Sequence, residues 1–178
     1  THHAAAVSGD AARCWVEGRE TDARLPLISF HAYRALWDAE RTAHQLAIGE
    51  TTFGGKRELK SDVGIIDAPE LYRLVLERAK TAREAIQIAD QLTKEYGYND
   101  YGEAFTFADK DEVWFFEIMG PGRGNKGAVW AAVRIPDDEV AVSANAPRIR
   151  RVDLKDAANY MASANVHSLA EQLGWWSA

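Results

Sequence analysis

The chain has 178 residues, 47% of them apolar and 27% charged, with a formal net charge of −6. That balance describes one folded domain or a large piece of one and sets disorder aside. The acidic excess argues against non-specific nucleic-acid binding, no apolar run has the length of a membrane helix, and a single cysteine, Cys14, excludes an intramolecular disulfide.

Residues 1–43 are rich in Ala, Arg and His and hold neither helical nor strand periodicity for long. Only residues 32–43 suggest a short helix, with Tyr33, Leu36 and Trp37 on one face. The opening Thr1-His2-His3-Ala4 has no basic region followed by an apolar one, so no signal peptide is read there. Without an initiator Met the chain reads as processed, trimmed or a fragment, any export signal lying upstream, and the compartment stays open.

From residue 45 the signals agree with one another. Residues 45–53 alternate as a strand, Leu46, Ile48, Glu50 and Thr52 on one face and Ala47, Gly49 and Thr51 on the other, stopped by Gly54-Gly55. Asp67 with Glu70, and Pro69 in the first turn, start a helix whose stripe is Leu71, Leu74, Val75 and Ala79. Thr81 with Glu84 starts a second, striped by Ala82, Ala85, Ile86, Ala89, Leu92 and Tyr96 and ended by Gly97.

Strands are expected over residues 103–108 and 112–119, joined by Asp109-Lys110-Asp111, over 128–135, and over 139–144 after the turn Pro136-Asp137-Asp138. Runs such as Val113-Trp114-Phe115-Phe116 are apolar on both faces, which suits a sheet covered on both sides. Residues 120–127 read as a flexible connection, residues 153–161 as a short helix, and Ser163 as the cap of a last helix carrying Val166, Leu169, Ala170 and Leu173. The pattern is α+β, mainly antiparallel strands with flanking helices.

Cys14 is a nucleophile only if a base activates it. To own a free α-amine it needs cleavage of the Arg13–Cys14 bond, and the residues after it do not form a convincing strand; an ordinary cysteine is expected. Thr1 is weaker still, being followed by His2-His3-Ala4-Ala5. No two of the five histidines stand at i, i+4 and no HExxH or Cys/His set exists, so no metal and no cofactor are expected. The Gly-rich run 120–127 lacks a Gly-Lys-Ser/Thr ending and precedes a strand, so it is read as a hairpin loop and not a phosphate cradle. Arg148, Arg150 and Arg151, the one basic cluster, read as a solvated edge.

Asn145 closes the run 140–145, where its amide is placed either to donate to a developing oxyanion or to make a plain turn before Ala146-Pro147. Composition alone favours the turn. Glu50, Thr51 and Thr52 end the first strand beside Gly54-Gly55, a place where sites often form.

Four blocks carry a family resemblance. AIGETTFGG from residue 47, EAFTFADKDEVWFFEIMG from residue 103, GAVWAAVRIPDDEVAVSANAPRI from residue 127, and the tail through Asn159-Tyr160-Met161-Ala162-Ser163, Val166 and Gly174-Trp175 follow one another in the order seen in the C69 family of cysteine dipeptidases. The chain thus resembles that family over residues 44–178, with residues 1–43 a poorly defined segment outside it.

The resemblance implies a partial αββα sandwich of the N-terminal-nucleophile hydrolases and cleavage of a small peptide through an acyl-enzyme on an N-terminal cysteine. It aligns Asn145 with an oxyanion-hole Asn of the related choloylglycine and penicillin V acylases, Thr52 with a second group on the oxyanion side, and Glu50 and Thr51 with the pocket lining. The family's opening Cys strand and the Arg/Asp segment after it have no match, and Arg41-Thr42-Ala43 replace an expected Asn-Glu pair. The chain alone is therefore expected to lack the nucleophile and dipeptidase activity. An acylase on non-peptide amides and a non-catalytic remnant are the alternatives, and the oligomeric state is not encoded.

Overall fold

A computed structural model describes residues 45–177 in full and, before them, the backbone of five short strands: β1 (Ala6–Ser8), β2 (Ala11–Val16), β3 (Arg19–Thr21), β4 (Leu27–Ser29) and β5 (Ala32–Arg34). β1, β2 and β3 pair antiparallel in that order, as do β4 and β5. The helix expected over residues 32–43 is wrong at its start. Leu27 pairs with Arg34 and Ser29 with Ala32, and a strand ladder engages the backbone groups that a helix would use. The rest of that expectation lies outside the described residues. Cys14 stands in β2 opposite Thr21, although no strand was read from its neighbours.

The body is a five-stranded antiparallel sheet made of β6 (Ala47–Thr52), β7 (Glu103–Ala108), β8 (Val113–Met119), β9 (Val129–Ile135) and β10 (Tyr160–Ala162), in the order β10-β9-β8-β7-β6. The register puts Ile48, Phe107 and Trp114 in one row, then Glu50, Phe105 and Phe116, then Thr52, Glu103 and Ile118. Two helices, α1 (Ala68–Leu76) and α2 (Ala82–Tyr96), cover this face. Side chains of β6 alternate faces with period two, and the burial pattern follows the alternation read from the sequence.

Both helices start where their caps stand. Asp67 Oδ1 accepts from Glu70 N at 2.9 Å, and Thr81 Oγ1 from Glu84 N at 3.1 Å. Each cap satisfies one orphan N–H of the first turn. The boxes are not reciprocal: Glu70 turns to Arg73 and Glu84 reaches Lys80 N. Gly97 ends α2 at φ 75, a left-handed backbone that costs only glycine nothing.

The core lies between the helices and the first face. Leu71, Val75, Leu76, Ala85, Ile86 and Ala89 meet Phe105, Phe107, Trp114, Phe116 and Ile118, all buried. The alanines of α2 let its backbone approach the aromatic layer, where Phe107 and Phe116 lie 5.3 Å apart and Phe116 and Trp130 5.2 Å. Burying each large apolar side chain contributes about 1.5–3 kcal/mol. Trp130 Nε1 donates to Asp90 Oδ1 at 2.9 Å and ties β9 to α2.

The fold is α+β as expected, but four local readings need correction. Residues 139–144 do not form a strand. The place beside β9 where a hairpin return would pair is taken by β10, with Tyr160 opposite Val133 and Met161 opposite Ala132. The segment leaves the sheet and crosses its second face, with Val140 93% and Val142 69% exposed. Residues 153–161 are not a helix either: β10 draws 160–162 into the ladder, and turns that begin at Asp153 and Asp156 precede it. Ser163 does not cap the last helix. Its hydroxyl accepts from Trp130 N at 3.0 Å, and α3 (Val166–Gln172) begins after Asn165 without a side-chain cap. Residues 120–127 are held rather than free, since Asp62 accepts from Arg123 Nε at 2.9 Å and from Gly124 N at 2.7 Å.

Candidate active site

The end of β6 gathers the residues that the sequence singled out. Thr51 and Thr52 point to opposite faces because they are neighbours in one strand. On the second face Thr51 Oγ1 shares a hydrogen bond of 2.8 Å with Ser143 Oγ. At the strand end Asn145 Nδ2 donates to the carbonyl oxygen of Thr52 at 2.8 Å. Asn145 itself has φ 54, a left-handed conformation that Asn tolerates better than most side chains.

A third attachment follows. Glu117, on the second face of β8, accepts through Oε1 from Arg148 N and from Ile149 N, the latter at 3.2 Å. Residues 143–149 are therefore fixed at three points, Thr51, Thr52 and Glu117, without joining a ladder. Glu117 is 8% exposed. Burial raises its pKa, opposed by the two backbone N–H groups and the Arg148 charge. On the sheet's second face, beside this segment, lie two cavities, one of about 540 Å³ next to Thr106, Phe115 and Val140 and one of about 530 Å³ next to Glu117, Ile149 and Trp176.

Glu50 takes the other side. It is 3% exposed in the face under the helices, and reaches the site through Thr52, whose Oγ1 donates to Glu50 Oε1 at 3.4 Å. Glu103 stands opposite Thr52 and is 4% exposed. Burial first, then the hydrogen-bonded and like-charged Glu50 carboxylate beside it, push Glu103 up to about 9. It is a neutral acid at pH 7. Burial, then Asp100, Glu103, Glu50 and Asp67, raise the Tyr98 hydroxyl well above its usual range.

The loop that supports the strand end depends on Gly102. Phe53 N and Gly54 N donate to its carbonyl at 2.9 and 3.1 Å. A Cβ on Gly102 would fall 2.1 Å from the Phe53 ring and 2.8 Å from Gly55 N. Any side chain at this position requires the Phe53 ring or the turn at Gly55 to shift.

The arrangement supplies an amide donor with one N–H engaged on Thr52 and the second without a partner among the described residues, on a backbone pinned to a rigid sheet. Such a donor stabilises a developing oxyanion without reorganising. Among the described residues no three His, Cys, Asp or Glu side chains are grouped to hold a metal. Thr1 lies outside the described residues, as does the side chain of Cys14, and residues 45–177 contain no thiol.

Of the sequence-based candidates, Asn145 and the Thr52 carbonyl meet at the strand tip, Thr51 holds the same segment through Ser143 on the second face, and Glu50 lies with the Thr52 hydroxyl on the face under the helices. Ser143, Glu103 and Glu117 were not singled out. Glu117 had a signal: one carboxylate inside the otherwise apolar run Val113–Met119.

The profile of peptidase family C69 matches residues 38–177. A probable dipeptidase of Salmonella dublin is 33% identical over 129 residues, 70% of this chain and 28% of that protein. A probable dipeptidase B of Lactococcus lactis subsp. lactis is 42% identical over 103 residues, 57% of this chain and 20% of that protein. A probable dipeptidase of Latilactobacillus sakei is 32% identical over 124 residues, 68% of this chain and 25% of that protein. The aligned stretch of the chain spans between a fifth and somewhat over a quarter of the length of these relatives.

Proposed function

The chain belongs to peptidase family C69, and on that premise we propose that the protein hydrolyses dipeptides through a thiolate nucleophile, with Asn145 as oxyanion donor. The dipeptidase names of the relatives support the reaction class. The observation that carries Asn145's role is its 2.8 Å bond to the Thr52 carbonyl, which aims and fixes the amide at the strand tip.

In this reading the thiolate of an N-terminal cysteine attacks the peptide carbonyl and its own α-amine takes the thiol proton. The carbonyl oxygen gains negative charge and accepts the free Asn145 N–H. The C–N bond breaks, the amine leaves with that proton, and water then cleaves the thioester. Thr51 and Thr52 line the tip, and Glu50 acts beneath them by holding the Thr52 hydroxyl. One oxyanion donor accounts for roughly 2.7–4 kcal/mol of transition-state stabilisation.

Cys14 lies before the family match, which begins at residue 38. The 178-residue chain by itself is therefore proposed to be inactive. The test is a panel of dipeptides and N-acyl amides offered to this chain and to the full polypeptide encoded at its locus. Dipeptide turnover by the full polypeptide alone supports the proposal. Turnover by the 178-residue chain that disappears in Cys14→Ala rejects the missing nucleophile, and hydrolysis of N-acyl amides alone makes the protein an acylase.

A further inference from the structure

The basic cluster that the sequence leaves as a solvated edge has a specific neighbour. Arg150 and Arg151 are exposed and carry no ion pair among the described residues. Both line the cavity of about 530 Å³ on the second face of the sheet. Its walls are otherwise largely apolar: Met119 and Val129 from the sheet, Ile149 and Val152 from the crossing segment, Trp176 from the tail. Trp176 is fixed as one wall by stacking on His167 at 4.8 Å. A cavity of this size falls in the range of small-ligand sites, roughly 300–1,000 Å³.

Two guanidinium groups without an ion pair among the described residues, lining a largely apolar cavity, select a ligand with an anionic end and an apolar body. Guanidinium pairs with carboxylate in a planar two-bond geometry, and the pairing is worth most where solvent is excluded. The one carboxylate in the wall, Glu117, makes no ion pair with Arg150 or Arg151 among the described residues; its Oε1 accepts from Arg148 N and Ile149 N. The cavity also stands in reach of the strand tip. Asn145 and Ile149 are four residues apart, no more than about 14 Å of extended backbone. A dipeptide of about 7 Å and an arginine side chain bridge that distance.

The geometry points to this cavity as the subsite for the C-terminal residue of the substrate, an apolar or aromatic side chain seated between Ile149 and Trp176 with its α-carboxylate on Arg150 and Arg151. The inference rests on the dipeptidase reading and adds a preference to it: dipeptides with a free carboxylate and a large apolar second residue.

Binding to the 178-residue chain is read by amide and indole chemical-shift changes, with Ala-Leu, N-acetyl-leucine, Ala-Leu amide, Gly-Gly and inorganic phosphate as probes. Ala-Leu and N-acetyl-leucine are expected to shift Ile149, Arg150 and the Trp176 indole. The amide, Gly-Gly and phosphate are expected to bind about tenfold more weakly or worse, as is Ala-Leu to the Arg150→Ala/Arg151→Ala chain. Equal binding of Ala-Leu and its amide, unchanged binding to the double variant, shifts confined elsewhere, or no binding at millimolar ligand each overturns the subsite. The two arginines are exposed, so their replacement is expected to leave the unfolding midpoint unchanged. Carboxylate-dependent binding without dipeptide hydrolysis by the full polypeptide removes the dipeptidase reading and keeps the subsite; hydrolysis with an unchanged KM in the double variant does the reverse.

Discussion

Asn145 donates its side-chain N–H to the carbonyl oxygen of Thr52 across 2.8 Å, joining a segment outside the sheet to the last residue of β6. The two residues are 93 positions apart, and between them run both core helices and three strands. The site therefore exists only when the whole antiparallel body is assembled.

Replacing Asn145 separates two contributions to that contact. Asn145→Gly keeps the φ 54 backbone and loses the hydrogen bond, a cost of about 1 kcal/mol. Asn145→Ala loses the same bond and, unlike glycine, keeps a Cβ in the left-handed region, which places it about 1–2 kcal/mol below the glycine variant. Urea unfolding of the two variants is expected to rank them in that order; equal stabilities contradict the left-handed strain.

Glu117 fixes the far end of the same segment. Glu117→Gln retains an acceptor oxygen for Arg148 N and Ile149 N and is expected to keep them protected from hydrogen exchange. Glu117→Leu leaves both N–H groups without it, at about 1–3 kcal/mol, and their exchange should rise to that of an open loop. Protection that survives in the leucine variant contradicts the anchoring role.

Glu103 gives stability a pH dependence with a definite sign. Its folded value, about 9, lies above the ordinary 4.5, so the folded state holds a proton that the unfolded chain has released. Its contribution is complete below about pH 4.5 and is lost as pH rises toward 9, with a slope of up to about 1.4 kcal/mol per pH unit. Glu103→Gln, which stays neutral, should flatten that slope in urea midpoints measured between pH 5 and 9. An unaltered slope contradicts the assignment.

Gly102→Ala tests the turn beneath the strand tip. The new Cβ would lie 2.1 Å from the Phe53 ring, so the ring or the turn must move. A destabilisation of about 1–3 kcal/mol is expected, with changed shifts at Phe53 and Thr52. A variant as stable as the parent shows that the turn has room.

Much of this was legible in the sequence because it is local. The period-two alternation of β6 put Glu50 and Thr52 on one face and Thr51 on the other, and the caps Asp67 and Thr81 set both core helices. The strand expected at 139–144 failed for a non-local reason. Val140 and Val142 have strand-like spacing, but a segment twenty residues later occupies the place beside β9. Tyr160 and Met161, the end of the helix expected over residues 153–161, are drawn into that ladder instead. Asn145 was singled out by residue type and family resemblance, whereas its left-handed backbone and its Thr52 contact follow from the crossing path. Ser143 and Glu103 carried no signal of their own, since each matters through a partner distant in sequence, Thr51 and Glu50.

Steady-state kinetics of the full polypeptide and its Asn145→Ala variant on one dipeptide test the proposed role of this strand tip most directly. A pinned oxyanion donor predicts a kcat lower by about 100-fold to 1,000-fold with KM nearly unchanged. A kcat within twofold of the parent would show that the amide on Thr52 is a turn contact and that the oxyanion is stabilised elsewhere.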